Sequence, residues 1–155
     1  NEASEEELAD IFFYYGEEFQ ARRIAQWIAE ARRKERIVST DQLVALVDQA
    51  IPKRFHPKKI HVATKVFQAL RIAVNHELDS LEQILADGAT LLAPGANFCV
   101  ISFHSLEDRL VKQAFRENPL LDVVTSKPII PSRVECLRNP RARSAKLRVA
   151  ARGRT

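Results

Sequence analysis

Between Asn97 and Arg116 the chain reads NFCVISFHSLEDRLVKQAFR. Six residues in this stretch, Ser102, His104, Ser105, Glu107, Asp108 and Arg109, carry groups that can move a proton or hold a ligand. The apolar run 97–103 is too short for a free-standing helix. It suits a parallel strand buried on both faces, with Cys99 packed inside as a small apolar group. A polar turn follows, and then a charged helix start. In open α/β sheets ligands occupy the crevice beyond the carboxyl ends of such strands, so this turn marks where chemistry would be. Ser105 with Asp108 three residues later also has the pattern of an N-cap. For His104 a pocket contact and a structural hydrogen bond are both open. Glu107, Asp108 and Arg109 also suit a solvated first helical turn, where acids favour the helix dipole. His104, Glu107 and Asp108 could be imagined around a hydrolytic metal, but so short a cluster without a second histidine is weak evidence for a site, and no metal is expected.

The elements that must position this turn can be read on both sides of it. Residues 1–51 show only helical periodicity. Ser4 and Glu7 form a capping-box pattern ahead of Leu8, Ile11, Phe12 and Tyr15, and Gly16 ends that helix. A second helix is expected from about Glu18 to Lys34. A third starts at Ser39 with Gln42 as its capping partner. Trp27, Phe12, Phe13 and Phe19 are expected in the core rather than as a base-stacking platform. The stretch 51–61, IPKRFHPKKIH, is basic, holds two prolines and suits an exposed connection. One long helix is then expected over about Thr64 to Asp87, with Phe67, Leu70, Val74, Leu78, Leu81 and Leu85 on its apolar stripe and Gly88 as C-cap. Gln68, Arg71 and Asn75 share a face of that helix, either reaching a substrate or forming a hydrogen-bonded seam. After the buried strand come a helix to Glu117, a strand at 120–124, a proline-bearing loop 126–144 and a last strand 145–152. The last strand alternates Leu147 and Val149 with Lys146 and Arg148, as a half-exposed strand at or near an edge does.

This order, helices and then the end of an α/β sheet, predicts a helical domain over 1–62 and a sheet domain over 63–155. Three strands cannot surround a strand buried on both faces, so further strands are expected from chain preceding Asn1. With 155 residues, 46% hydrophobic and 28% charged, the composition is that of a folded domain and excludes wholesale disorder. No apolar run approaches the roughly 20 residues needed to cross a bilayer, and the acidic N-terminus is unlike a secretory signal, so a cytoplasmic protein without a membrane partner is expected. The two cysteines, Cys99 and Cys136, are expected to stay reduced. Residues 119–155 carry nine basic and two acidic side chains, whereas residues 1–118 are net negative. Arg138, Arg141, Arg143 and Lys146 lie in this basic block, which is either a solvated tail or a surface for a polyphosphate.

Three motifs narrow the choice. TKVFQALRIAVNHEL (64–78), VISFHSLEDRLVK (100–112) and RNPRARSAKLR (138–148) resemble the MraW/RsmH methyltransferases, and SEEELADIFFYYGEE (4–18) is similar to the helical insertion of that family. Small departures exist: His61-Val62-Ala63-Thr64-Lys65 stands for His-Pro-Ala-Thr-Arg, and Pro94-Gly95-Ala96 for Pro-Gly-Gly. The resemblance implies the C-terminal part of a class I (Rossmann-like) methyltransferase sheet plus an all-α insertion. It implies methyl transfer from S-adenosylmethionine to the N4 amine of a cytosine in small-subunit (16S) rRNA, with that RNA or the ribosomal subunit as partner. It also makes Ser102, His104 and Ser105 candidates for the target-base pocket. Gln68, Arg71, Asn75, Glu107, Arg109, Arg138, Arg141, Arg143 and Lys146 become RNA-binding candidates. The glycine-rich loop and ribose-holding acid of the family are missing. No cofactor-binding residue is therefore assigned, and the chain alone is expected to be inactive and to bind the cofactor weakly. The alternative is a non-catalytic RNA-binding or scaffold module lacking the cofactor half. A homodimer is compatible with the sequence.

Overall fold

The computed structural model describes residues 1–154. The chain divides into two compact units, Asn1–Glu77 and Leu78–Thr155.

The first unit is helical. Helix α1 (Glu5–Asp10) is closed by the capping box expected at Ser4: the Glu7 N–H donates to Ser4 Oγ at 3.1 Å, and the Ser4 N–H donates to Glu7 Oε2 at 2.6 Å. Donation from the Ser4 N–H and from the Ser4 side chain holds the exposed Glu7 carboxyl below its usual range. The helix widens into a π-helical turn over Ile11–Tyr15 and stops at Gly16. There the chain passes so close to its neighbours that a Cβ would lie 2.6 Å from the Phe12 carbonyl and 2.8 Å from that of Lys65. Helix α2 (Ala21–Lys34) follows, and α3 (Thr40–Ala50) is closed by the Ser39–Gln42 capping box. A single 3₁₀ turn, Lys53–Phe55, leads towards α4 (Thr64–Asn75). Phe12, Ile24, Ala25, Val47, Ala50, Val66 and Ala69 make the buried core of this unit, with Trp27 partly buried against it. Phe13 and Phe19, expected in that core, are instead exposed.

The long helix expected over 64–87 is two helices. His76 takes a left-handed conformation with φ 50° and donates its N–H to the Ile72 carbonyl, which ends α4. Histidine is among the non-glycine residues that tolerate this region. Helix α5 (Glu77–Leu91) then begins at once. Gly88 lies inside α5 rather than capping it, and a Cβ there would meet the Phe98 ring at 2.8 Å.

The second unit packs α5 and α6 (Ser105–Glu117) on a three-stranded sheet of β1 (Asn97–Ser102), β2 (Leu121–Val123) and β3 (Lys146–Arg152). The order is β1-β3-β2 and both pairings are antiparallel, with Ile101 opposite Leu147 and Leu121 opposite Arg152. Leu85, Ala89, Val111, Phe115, Leu121 and Ala150 form the core, flanked by Phe98 and Val100.

One strand expectation is corrected: β1 is covered on one face only, with Cys99 and Ile101 (58% exposed) pointing away from the core, and the strand pairs antiparallel on one side. β3 is half-exposed and lies one strand in from the β2 edge, and it packs its Arg148 and Ala150 side into the interior. The loop 126–144 is also partly ordered into α7 (Arg133–Arg138), capped by Ser132, and a 3₁₀ turn over Pro140–Ser144. Among the described residues no helix is long and apolar enough to cross a membrane.

Candidate functional site

The turn between β1 and α6 is built by a capping box one residue earlier than expected. His104, not Ser105, is the N-cap, and Glu107, not Asp108, is its partner. The Glu107 N–H donates to His104 Nδ1 at 3.3 Å, while Glu107 Oε2 accepts from the N–H groups of Phe103 at 2.7 Å and His104 at 3.2 Å. A ring that accepts at Nδ1 carries its neutral-form proton on Nε2. Nε2 lies 3.4 Å from Glu107 Oε1 without an aligned hydrogen bond. The imidazole is thus clamped at one nitrogen while the other keeps its bonding capacity.

Moving the cap back by one residue releases Asp108 to face β3. Arg148 donates from Nε to Asp108 Oδ1 at 2.7 Å and from Nη2 to Oδ2 at 3.3 Å, and Lys146 Nζ donates to Oδ2 at 3.1 Å. Arg148 is only 6% exposed, so its charge needs this carboxylate inside the protein. Burial pushes the Asp108 carboxyl up, but hydrogen bonds and charge from Arg148 and Lys146 outweigh it and hold the group below its ordinary value. Ser102, at 2% exposure, donates its hydroxyl to the Lys146 carbonyl at 3.4 Å. The carboxyl end of β1, the first turn of α6 and the start of β3 are thereby tied into one polar cluster of Ser102, His104, Glu107, Asp108, Lys146 and Arg148. Ser105 and Arg109 lie exposed on the same turn. Sequence reasoning read Asp108 as a cap partner or first-turn acid and gave Arg148 no part in the site. An acid early in a helix and two basic residues alternating along a strand were the available signal.

The remaining candidates lie elsewhere. Gln68, Arg71 and Asn75 sit on α4 in the helical unit. Arg71 forms a bidentate pair with Glu77, at 2.7 Å from Nε and 3.0 Å from Nη2, and Asn75 Nδ2 donates to the same carboxylate at 3.4 Å. Gln68 is half-buried. In the basic segment, Arg138 ends α7 and Arg141 and Arg143 flank the buried Ala142. Asn139 Oδ1 accepts the Arg141 N–H at 3.2 Å, which sets the 3₁₀ turn. Arg138, Arg141 and Arg143 are exposed, whereas Lys146, expected with them, is turned to Asp108. Guanidinium groups so displayed suit bidentate contact with phosphate.

The model of the MraW methylase family matches residues 1–153. Among similar proteins, a ribosomal RNA small subunit methyltransferase H of Desulfotalea psychrophila is 63% identical over 147 residues, which are 95% of this chain and 50% of that protein. The protein of the same name from a Synechococcus species (strain JA-2-3B'a(2-13)) is 59% identical over 95% of this chain and 45% of its own length. That from a Cyanothece species is 58% identical over 98% and 50%. The chain therefore spans about half the length of the curated relatives it matches.

Proposed function

The chain belongs to the MraW methylase family, and from that premise we propose that it carries the helical insertion and the last strands of a class I (Rossmann-like) methyltransferase acting on small-subunit ribosomal RNA in the cytoplasm. In this reading residues 1–62 are the insertion, with α4 packed on it, and residues 63–155 end the catalytic domain. The uncovered face of β1 and its single strand partner support the reading, because a longer sheet would hide both. The reaction is transfer of a methyl group to the N4 amine of a cytosine.

S-adenosylmethionine, when bound, supplies a methyl group already activated on a sulfonium. The described residues do not fit that cofactor. Gly16 is closed in by backbone and Gly88 by the Phe98 ring; Gly95, at φ 80°, turns the chain into β1. Gly153 follows β3 and donates to the Leu120 carbonyl. None lies in a strand-to-helix loop that could cradle an adenosyl group. The cofactor is assigned to the part of the relatives that this chain does not cover.

The chain's own contribution is a wall for the target base. The N4 amine must point its lone pair at the methyl carbon, so groups that hold the base out of its stack and accept its amino hydrogens act by positioning. The observation that carries this role is the polar turn beyond β1, with His104 fixed by Glu107 and α6 fastened to β3 through Asp108. His104 and Ser105 form the wall, buried Ser102 ties it to β3, Glu107 and Arg109 position it, and Gln68, Arg71 and Asn75 face RNA from α4. Arg138, Arg141 and Arg143 serve the phosphate backbone, while Lys146 is held at Asp108. The full-length enzyme, incubated with S-adenosylmethionine and small-subunit RNA, should yield N4-methylcytidine when the RNA is digested to nucleosides and weighed by mass spectrometry. Tight RNA binding with no methylated nucleoside would instead establish the non-catalytic scaffold.

A further inference from the structure

The helical unit exposes a cluster of aromatic side chains with cations around it. Phe19 is 87% exposed, and Phe13 and Tyr14 stand exposed on the π-helical turn with their rings 5.2 Å apart edge to face. These three residues, Arg22 and Arg23 line a groove of about 400 Å³ whose one acid is Asp10. Lys65 Nζ sits 5.5 Å from the Phe19 ring centroid.

The turn that presents Phe19 is firmly built. Glu17 is in the left-handed region at φ 48°, a strained conformation for a residue with a Cβ. Its carbonyl accepts from Lys65 Nζ at 2.7 Å. Glu18 is buried: its N–H donates to the Phe12 carbonyl at 3.1 Å, and its Oε1 accepts from the Gln20 N–H at 3.0 Å. A large apolar ring held in solvent by a strained, hydrogen-bonded turn has no packing role in this unit. Widened helical turns of the kind that carries Phe13 and Tyr14 also concentrate at functional sites.

We infer that Phe19, with Phe13 and Tyr14, is a stacking platform for unpaired RNA bases, and that Arg22, Arg23 and Lys65 hold the adjoining phosphates. The inference rests on the RNA reading above and adds a contact surface to it. Aromatic faces interleaved with guanidinium and ammonium groups recognise single strands in this way: every base offers a π-face, and the cations follow the backbone. An apolar peptide would make no use of the arginines, and duplex RNA would offer no bases to the rings.

The test is fluorescence anisotropy of a labelled, unstructured oligoribonucleotide titrated with the 155-residue chain. Phe19→Ala should weaken binding about five- to hundredfold with an unchanged salt slope, and Phe19→Trp should restore it. The loss should vanish on a strand of the same length made abasic. Arg22→Gln with Arg23→Gln should flatten the salt slope by about two units. Phe13→Ala with Tyr14→Ala gives a second, independent reading of the platform. Unchanged binding by the Phe19 and Phe13/Tyr14 variants, with a loss on neutralising Arg141 and Arg143, would overturn the inference while leaving RNA binding intact. No binding by either the parent chain or the full-length enzyme would overturn both. A lower melting temperature of the full-length Phe19→Ala enzyme with unchanged RNA affinity would assign the platform to packing within that enzyme, and would also overturn it.

Discussion

His104 does two jobs that a suitable pair of substitutions separates. Its Nδ1 caps α6, and the role proposed for it in the base pocket needs the rest of the ring. Asparagine is among the best N-caps, whereas alanine forfeits about 1 kcal/mol. His104→Ala in the full-length enzyme should lose both stability and turnover. His104→Asn should keep the melting temperature and still lose turnover well over tenfold. Unchanged turnover in the asparagine variant would leave His104 as a cap alone. Asp108 is a second residue with a separable effect. Its folded pKa is depressed, so its contribution to stability is fully present above its unfolded value and is lost as pH falls through the lower folded one. Asp108→Asn should cost about 3–5 kcal/mol near neutrality, because it leaves the buried Arg148 uncompensated. Thermal melts across acid pH should show the parent losing stability below about pH 4 more steeply than the variant.

At the scale of elements, Gly16 offers the sharpest test of how the helical unit closes. Two backbone oxygens stand within 2.8 Å of where its Cβ would be, and backbone cannot move aside as a flexible side chain does. Gly16→Ala should destabilise by about 1–3 kcal/mol in denaturant melts; a neutral result would mean that the approach of the π-helical turn to α4 is looser than described. What the sequence revealed of these elements follows from range. The capping boxes at Ser4 and Ser39 were legible because donor and acceptor lie three residues apart. At α6 two adjacent polar residues, His104 and Ser105, competed for the cap, and Asp108's partner lies 40 residues away in β3. For the same reason the buried face of β3 was not legible: alternation gives the period of a strand, but Arg148 goes inside only because Asp108 neutralises it. The break at His76 was hidden because the apolar stripe runs on through it. Phe13 and Phe19 were assigned to the core by hydrophobicity, which does not register a strained turn.

For the whole molecule, the two compact units divide the proposed tasks, RNA contact on the helical unit and a base-facing wall in the sheet unit. In this proposal the cofactor's place is in the portion of the relatives beyond this chain's match. The family motifs at 64–78, 100–112 and 138–148 make the family legible from the order of residues alone. Which side chains turn inward at those motifs depends on long-range pairs, as Lys146 shows by leaving the arginine cluster for Asp108. Calorimetric titration of S-adenosylmethionine into the 155-residue chain and into the full-length enzyme measures this division directly. Saturable binding by the full-length enzyme and none measurable by the chain alone is the predicted result. Micromolar binding by the isolated chain would contradict it.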